Sequence, residues 1–155
     1  MDETKITLHR WQEPAARHII QKIRYEVFVE EQKVPVEEEI DRFDPLSLHI
    51  LVHLKTRNGV YEPVATGRLI PDGHIGRIAV LKGYRGRGIG LLMMEILEKK
   101  AMDKGISTVE LDAQLQALPF YEKAGYIAYG GVFMDAGIQH KKMKKILNNR
   151  NDEMS

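Results

Sequence analysis

A glycine-rich segment between a predicted strand and a predicted helix constrains the fold of this chain more than any other feature. Residues 84–90 read YRGRGIG, and they follow an apolar strand pattern over residues 74–81. Apolar residues at helical spacing continue over residues 89–104, and a further short strand is predicted over residues 107–112. A strand, a helix and a second strand in this order predict two parallel strands joined by a right-handed crossover.

The segments on either side of this unit predict antiparallel strands and short helices. Before it come a strand over residues 5–11, a helix from residue 14 to about residue 29, a loop or short helical turn over residues 30–47, and a hairpin over residues 49–70. After it come a helix over residues 115–124 and strands over residues 126–133 and 138–147. The order β-α-β-β-β-α-β-α-β-β predicts an α/β fold with a mixed sheet, largely antiparallel around a central parallel β-α-β unit.

The composition limits the classes of function. The length of 155 residues favours one domain over residues 1–147, and the polar tail over residues 148–155 is predicted to be disordered. The chain contains no cysteine, which excludes disulfides, thiolate metal sites and a cysteine nucleophile. The net charge of +1 gives no overall attraction for nucleic acid. The acidic N-terminus and the shortness of the most apolar stretch, residues 89–97, predict a cytoplasmic protein without a membrane span.

The glycine-rich segment has the chemistry of a phosphate-binding loop. Its glycines allow a ligand to approach the backbone closely, and the first amides of the following helix have no intrahelical acceptors. The helix dipole and the side chains of Arg85 and Arg87 add positive charge at the same place. The alternative is a plain strand-to-helix turn that binds no ligand.

Two other phosphate-binding patterns fit this segment less well. A P-loop requires a lysine followed by serine or threonine, which residues 84–90 do not contain. A dinucleotide-binding fingerprint reads G-x-G-x-x-G and is followed by an acid near the end of the next strand. The segment is one residue shorter than that pattern, although Asp112 stands where the acid would be. A dinucleotide-binding oxidoreductase fragment therefore remains an alternative.

Two motifs resemble a known superfamily. The spacing Arg85-x-x-Gly88-x-Gly90 resembles the Q/R-x-x-G-x-G/A motif of the GCN5-related N-acetyltransferase (GNAT) superfamily. The segment LPFYEKAGY, which begins at Leu118, resembles that family's second motif, a helix with a tyrosine four residues before a glycine. More narrowly, residues 24–32, 112–114 and 137–143 resemble the small bacterial ElaA-like branch, which often has proline where Gln139 stands.

The resemblance implies an N-acetyltransferase that uses acetyl-CoA as a co-substrate and transfers the acetyl group to a primary amine. It implies direct attack in a ternary complex, without a covalent enzyme intermediate. The pantetheine arm would pair with the strand before the loop, and the pyrophosphate would lie on the loop amides. The implied cofactor-binding residues are Ile78, Ala79, Val80, Arg85, Gly86, Arg87, Gly88, Ile89, Gly90, Gln114 and Tyr121.

The resemblance also implies two residues that handle protons. Tyr121 stands at the family's usual position for the donor to the departing thiolate, and His140 matches a late-strand histidine that acts as a base in some members. Glu30, Glu31 and the acids of residues 37–44 are the second candidates for the base. For each residue the alternative is an ordinary packing or surface role.

The acceptor side is less constrained by the sequence. Arg24, Arg68 and Arg77 are candidates to bind an acceptor carboxylate, and Glu30 is a further candidate substrate residue. The acids of residues 37–44 would instead attract a cationic amine, or would simply be solvated. The histidines show no spacing typical of a metal site, so no metal is predicted.

Three questions stay open at the level of the sequence. A peptide lysine, an amino acid, a polyamine and an antibiotic all fit as the acceptor. A homodimer is compatible with the resemblance, since dimers are common in the superfamily. A non-catalytic acyl-CoA sensor on the same fold would keep the loop of residues 85–90 and dispense with Tyr121 and His140.

Overall fold

The computed structural model describes residues 3–147, and its seven strands form two antiparallel sheets. The first sheet has the order β1-β2-β3-β4, with β1 (Thr4–Arg10), β2 (Leu48–Lys55), β3 (Tyr61–Leu69) and β4 (Ile75–Val80). The second sheet has the order β5-β7-β6, with β5 (Thr108–Gln114), β6 (Ile127–Asp135) and β7 (Ile138–Ile146). The α-helices are α1 (Pro14–Arg24), α2 (Val36–Glu39), α3 (Ile89–Asp103) and α4 (Leu118–Lys123).

The predicted order of the strands and main helices is confirmed. The predicted loop or helical turn over residues 30–47 contains α2 and a 3₁₀ turn at Asp44–Leu46. The predicted tail over residues 148–155 lies outside the described residues, so the division at residue 147 stays a prediction. None of the helices described within residues 3–147 is long and apolar enough to cross a membrane.

The two sheets meet at a single parallel bridge between His74 and Glu110, at the start of β4 and in the first half of β5. Within the described residues, β4 and β5 share no further bridge. The parallel relation that the sequence predicts is therefore confined to one point, and the strands part toward their C-terminal ends. This parting opens a cleft between the sheets. It also leaves no run of parallel strands, which a dinucleotide-binding sheet requires.

Helix α3 anchors both sheets around one apolar core. Its residues Met93, Met94, Leu97 and Ala101 are fully buried, and burying a side chain of the size of leucine or methionine contributes about 1.5–3 kcal/mol. This packing fixes the N-terminal end of α3, four residues after Arg85, which lines the cleft. The rigid placement matters because that end carries the glycine-rich loop.

Strand β4 is kinked by a bulge in its middle. Thr66 of β3 pairs with Ala79 and Arg68 pairs with Gly76, so Arg77 and Ile78 together face the single residue Gly67. The side chain of Ile78 fills the space beside Gly67, where a Cβ atom would lie 2.6 Å from the Ile78 Cδ1 atom. Arg77 takes the left-handed conformation with φ of 51°. The bulge lies between the single bridge to β5 and the second half of β4, which has no bridge to β5 in the described chain.

The first helix differs from its prediction as one continuous helix to about Val29. The α-helix ends at Arg24, and the chain continues as a π-helix over Tyr25–Glu31. The wider winding is closed by the amide of Gln32, which donates to the carbonyl of Val27 at 3.1 Å. Val27 stays in the core while Phe28 and Gln32 line the cleft. A π-turn at such a place often marks a functional site.

Candidate active site

The cleft between the two sheets has a volume of about 840 Å³. It is lined by side chains from β4, β5, β7, the π-helix and the loops that follow β5 and β6. Of the site residues predicted from the sequence, the cleft brings together Arg68, Arg77, Ile78, Arg85, Gln114, Tyr121 and His140. Arg24 and Glu30 are not among its lining residues. Ala79, Val80 and residues 86–90, which are predicted to bind the cofactor, do not line it either, so the glycine-rich loop reaches the cleft through Arg85 alone.

The glycine-rich loop, which reaches the cleft through Arg85, has an open backbone. Gly86 and Gly88 adopt left-handed conformations with φ of 78° and 80°, and Gly88 caps the start of α3. A Cβ atom at either glycine would meet no protein atom within 4 Å. The first intrahelical hydrogen bond of α3 is donated by the amide of Leu92 to the carbonyl of Gly88 at 3.0 Å. The amides that precede Leu92 in this turn are therefore available to an anion.

Gly90 has a different reason to be glycine. A Cβ atom there would lie 3.3 Å from the Cζ atom of Phe120, which belongs to α4. The residue therefore allows α3 and α4 to pack closely. The left-handed backbone explains Gly86 and Gly88, and helix packing explains Gly90.

The two arginines of the loop differ in how they are bonded. Arg85 donates two hydrogen bonds to the carboxylate of Glu31, at 2.6 and 2.7 Å, and its Nε donates to the carbonyl of Val80 at 2.9 Å. The hydrogen bond with Arg85 lowers the pKa of Glu31 below its ordinary value. Arg87 lies over the ring of Tyr84 and has no carboxylate within 4.0 Å among residues 3–147. Arg87 is therefore the loop arginine with an unneutralised charge.

The edge of β4 faces the cleft. Its other edge is paired with β3, and beyond the bridge at His74 no strand of the described chain covers the cleft edge. An exposed strand edge can pair with an extended ligand through backbone hydrogen bonds. Residues Ile78, Ala79 and Val80 form this edge; the side chain of Ile78 lines the cleft, whereas that of Ala79 is buried in the core.

Tyr121 presents its phenol to the cleft from α4. Its hydroxyl has no hydrogen-bond partner among residues 3–147, and burial raises the pKa of Tyr121 to about 12. The phenol therefore holds its proton at every physiological pH. The ring contacts the edge of Tyr126, whose hydroxyl donates to Glu98 at 2.7 Å. Glu98 also accepts from Lys145 at 2.9 Å, so α4 is tied to α3 and β7.

His140 presents a nitrogen lone pair to the same cleft. It is only 8% exposed and stacks on Phe133 with ring centroids 5.8 Å apart. Its Nδ1 atom lies 2.7 Å from the carbonyl of Ile138. Because a carbonyl can only accept, Nδ1 carries the hydrogen, and the neutral ring keeps its lone pair on Nε2. Nε2 has no partner within residues 3–147, which leaves it free to accept a proton.

Gln114 lies directly opposite His140 in the register of β5 and β7. Its Nε2 atom donates to the side-chain oxygen of Gln32 at 2.8 Å, and its own oxygen accepts a hydrogen bond from Gln116. This chain of amides connects the end of the π-helix to β5. Gln32, which the sequence analysis did not single out, is thus a positioning residue of the cleft.

The three arginines predicted to bind an acceptor carboxylate are instead paired with acids of the protein. Arg24 bonds Glu39 and Asp44, Arg68 bonds Asp41 and Asp44, and Arg77 bonds Glu39 and Asp41, with N–O distances from 2.7 to 3.2 Å. We call these six residues the arginine–acid cluster. Three positive and three negative side chains leave it with no net charge.

The cluster is buried at its centre. Arg24 and Asp44 are both 0% exposed. Burial alone would raise the pKa of Asp44, but hydrogen bonds and charge from Arg24 and Arg68 outweigh it and lower the pKa to about 2. The neighbouring His49 is also fully buried, and burial lowers its pKa, so its ring is held neutral beside two arginines.

These contacts correct the assignment of acceptor residues. Arg24 cannot reach a ligand because it is fully buried, so its role is structural. Arg68 and Arg77 line the cleft, but their guanidinium groups already bond protein carboxylates. The interpretation of residues 37–44 as solvated acids fails for the three that belong to the cluster. Glu30 is exposed outside the lining of the cleft, so nothing in its placement supports an acceptor role.

The sequence matches the acetyltransferase (GNAT) domain family over residues 16–147. It is 46% identical over 127 residues to the uncharacterised N-acetyltransferase YjcF of Bacillus subtilis, covering 79% of this chain and 87% of that protein.

The fold is similar to two crystal structures. An acyl-CoA N-acyltransferase from Pseudomonas aeruginosa is 27% identical with a TM-score of 0.78, covering 92% of this chain and 99% of that one. Escherichia coli ElaA is 28% identical with a TM-score of 0.75, covering 91% of this chain and 99% of that one. The ElaA structure agrees with the motifs that resemble its branch. The chain therefore belongs to the GNAT family of acetyltransferases, and it is an acyltransferase.

Proposed function

We propose that this enzyme transfers the acetyl group of acetyl-CoA to a primary amine by direct attack. The observation that carries the proposal is the arrangement of unpaired groups along one cleft. Free backbone amides and the Arg87 guanidinium belong to the loop that reaches the cleft at Arg85. Tyr121 and His140 line the cleft, and the hydroxyl of Tyr121 and Nε2 of His140 have no partners among residues 3–147. The chain contains no cysteine, so no protein thiol can carry the acyl group.

The mouth of the cleft suits the phosphates of coenzyme A. The loop amides of residues 85–90 would hold the pyrophosphate, with Arg87 supplying charge. The uncovered edge of Ile78, Ala79 and Val80 would pair with the pantetheine amides. Leu81 donates to Val64 of β3, so by the alternation of an antiparallel pair Ala79 directs its amide and carbonyl to β3, whereas Ile78 and Val80 direct theirs to the open edge. Arg85 occupies the carbonyl of Val80, so Ile78 and the amide of Val80 carry this proposed pairing.

The chemistry makes two demands on protons. An alkyl amine with an ordinary pKa of about 10.4 must lose a proton before it can attack, and Nε2 of His140 is placed to accept it. The new C–N bond then forms as the C–S bond breaks. Tyr121 donates a hydrogen bond to the departing sulfur, whose pKa is near the value of about 8.5 for a cysteine thiol. Because the tyrosine pKa is higher, stabilisation by hydrogen bonding is the larger part of this role.

A non-catalytic sensor would need the loop but not the unpaired Tyr121 and His140. Both residues line the cleft with their functional atoms unbonded to residues 3–147, which favours the catalytic proposal. A cytoplasmic location, a homodimer and the absence of a metal stay predictions.

Titration calorimetry with acetyl-CoA, coenzyme A and NAD tests the donor. We expect acetyl-CoA to bind in the micromolar range and Arg87→Ala to weaken that binding about tenfold, because one free charge is lost. Arg57→Ala is the matched control, since Arg57 is exposed on the turn between β2 and β3 and should not affect binding. Preference for NAD, or no binding of either coenzyme A species, would contradict the proposal.

A further inference from the structure

Each arginine that lines the cleft is already paired with a carboxylate of the protein. Arg68 and Arg77 bond acids of the arginine–acid cluster, and Arg85 is held by both oxygens of Glu31. An acceptor that carries a carboxylate would therefore have to break an existing ion pair. This argues against an amino acid or another acidic molecule as the acceptor.

Several carboxylates that line the cleft are, by contrast, unpaired. Glu38, Asp112 and Asp135 line it, are exposed, and have no cationic partner within 4.0 Å among residues 3–147. This holds although Lys142 lies opposite Asp112 in the strand register. The remaining acids of the lining bond Arg68, Arg77 or a histidine. The lining thus offers negative charge to a ligand and no free positive charge.

The strand register places two of these carboxylates around His140. Gln114 of β5 and Phe133 of β6 lie directly opposite His140 on either side, so all three share one face of the second sheet. Asp112 lies two residues before Gln114, and Asp135 lies two residues after Phe133. Both acids therefore lie on the same face as His140, at positions diagonal to it on the two neighbouring strands. Their Cα atoms are about 7–8 Å from that of His140, in opposite directions along β7.

His140 provides the second, independent sign of a ligand at this place. The residue as a whole is 8% exposed, it lines the cleft, and its Nε2 atom has no partner within residues 3–147. A lone pair flanked by carboxylates is suited to N–H donors and positive charge.

We propose that the acceptor is a small diamine or polyamine, bound with one amine at His140 and a second, protonated amine at Asp112 or Asp135. This inference rests on the proposed function, because it names the acceptor of that reaction. A short alkyl chain spans the diagonal distance. A lysine side chain of a protein has one amine only, and it would leave the flanking carboxylates unused.

The reaction is balanced without a further reactant. The protonated amine at His140 gives one proton to Nε2 and attacks the acetyl carbon, so one C–N bond forms and the C–S bond of acetyl-CoA breaks. The second proton that this nitrogen loses on becoming an amide passes to the departing sulfur. The products are the mono-acetylated diamine and coenzyme A. The second amine stays protonated throughout and serves only for binding, so the flanking acids should act on acceptor affinity more than on the chemical step.

The first test compares three acceptors with the same alkyl chain: putrescine, n-butylamine and γ-aminobutyrate. The rate of coenzyme A release gives kcat/KM for each with the wild-type enzyme. We expect kcat/KM for putrescine to exceed both others by about tenfold, because only putrescine offers a second cation. Equal values for putrescine and n-butylamine, or a preference for γ-aminobutyrate or for a lysine peptide, would overturn the inference.

The second test removes the charges one at a time. Asp112→Asn and Asp135→Asn keep size and shape, and at least one of them should lower kcat/KM for putrescine about tenfold, through KM, while leaving n-butylamine within about twofold. Glu62→Gln is the control, since Glu62 is exposed on β3 and does not line the cleft. If neither aspartate variant changes the preference for putrescine, the assignment of the acids is wrong.

The outcomes separate this inference from the function on which it rests. Binding of acetyl-CoA together with turnover of n-butylamine as fast as putrescine would leave the acetyltransferase standing and remove the diamine. Failure to bind acetyl-CoA at all would remove the proposed function, and the acceptor inference with it.

Discussion

The glycine-rich loop and the arginine–acid cluster lie on the same cleft, and both are rich in arginine, yet their bonding is opposite. In the loop, Gly86 and Gly88 have open space, and the first amides of α3 have no helical acceptor. Arg85 is paired with Glu31, but Arg87 bonds only the carbonyl of Gly83 and has no carboxylate partner in the described chain. In the cluster, every guanidinium is bonded to carboxylates, and its centre is sealed from solvent. The loop therefore has groups available for a ligand, whereas the charged groups of the cluster are bonded to one another and stabilise the fold.

This difference shows why the type of a residue does not fix its role. An arginine with a buried acid beside it stabilises the fold, and the same residue without one is available to a phosphate. The cluster connects α1, α2, β3 and β4, which are far apart in sequence. Arg68, Arg77 and Glu39 line the cleft, so the cluster fixes part of its wall.

The largest effect on stability is expected from removing a shared carboxylate of the arginine–acid cluster. Asp44→Ala removes the carboxylate shared by Arg24 and Arg68 and leaves two arginines with unpaired donors in a buried place. Leaving a buried charge without its partner costs about 3–5 kcal/mol, and we expect that loss in the free energy of unfolding. Chemical denaturation measures it.

Glu37→Ala is the control for that variant, because Glu37 is exposed in the same acidic segment and should change the stability by less than about 0.5 kcal/mol. The pH dependence gives a second check. The pKa of Asp44 is lowered from 3.8 to about 2, so its contribution is present above pH 3.8 and is lost as the pH falls through about 2. Asp44→Ala should lack this part of the acid transition. A loss below about 1 kcal/mol would mean that the cluster is not structural.

The next largest effect is expected on kcat, from removing the unpaired hydroxyl of Tyr121. Tyr121→Phe removes only the hydroxyl, so it should lower kcat by about a hundredfold and leave acetyl-CoA affinity nearly unchanged. Steady-state kinetics and calorimetry measure the two quantities separately. Tyr61→Phe is the control, since Tyr61 lies at the exposed start of β3. An unchanged kcat would assign Tyr121 to packing, as its edge contact with Tyr126 allows.

The element order and the loop could be predicted because their signals are local in sequence. Apolar spacing identifies strands and helices, and Gly86 and Gly88 lie within a few residues of the helix they precede. The π-helix could not be predicted in this way. Val27 falls four residues after Ile23, as in an ordinary α-helix, and the extra residue of the turn changes only which later side chains face the cleft.

The arginine–acid cluster was beyond the sequence analysis for a different reason. Arg24 meets Glu39 fifteen residues away, and Arg77 meets the same acid across thirty-eight residues. No spacing rule links charges over such distances, because their partners are chosen by how the strands pair. The same limit applies to Gly90, whose neighbour Phe120 comes from another helix.

The smallest effect is expected from adding a side chain in the open space of the glycine-rich loop. Gly88→Ala places a methyl group on a residue with φ of 80°, where an L-residue costs about 1–2 kcal/mol. Beyond this local strain the new Cβ atom meets no atom of the rest of the described chain within 4 Å, so any further steric conflict would be with a bound ligand. We therefore expect acetyl-CoA binding to weaken about tenfold, with a loss of about 1–2 kcal/mol in the free energy of unfolding.

Gly83→Ala and Gly88→Asn separate the two causes. Gly83 also has open space around it but lacks a positive φ. Its alanine variant should therefore leave the free energy of unfolding nearly unchanged and the dissociation constant of acetyl-CoA within about twofold. Asparagine tolerates the left-handed conformation better than alanine, so Gly88→Asn should recover part of the stability while its longer side chain still blocks the ligand. If Gly88→Asn instead binds acetyl-CoA as tightly as the wild type does, the phosphates do not lie in the open space at Gly88. The loop would then have a structural role only, as the arginine–acid cluster does.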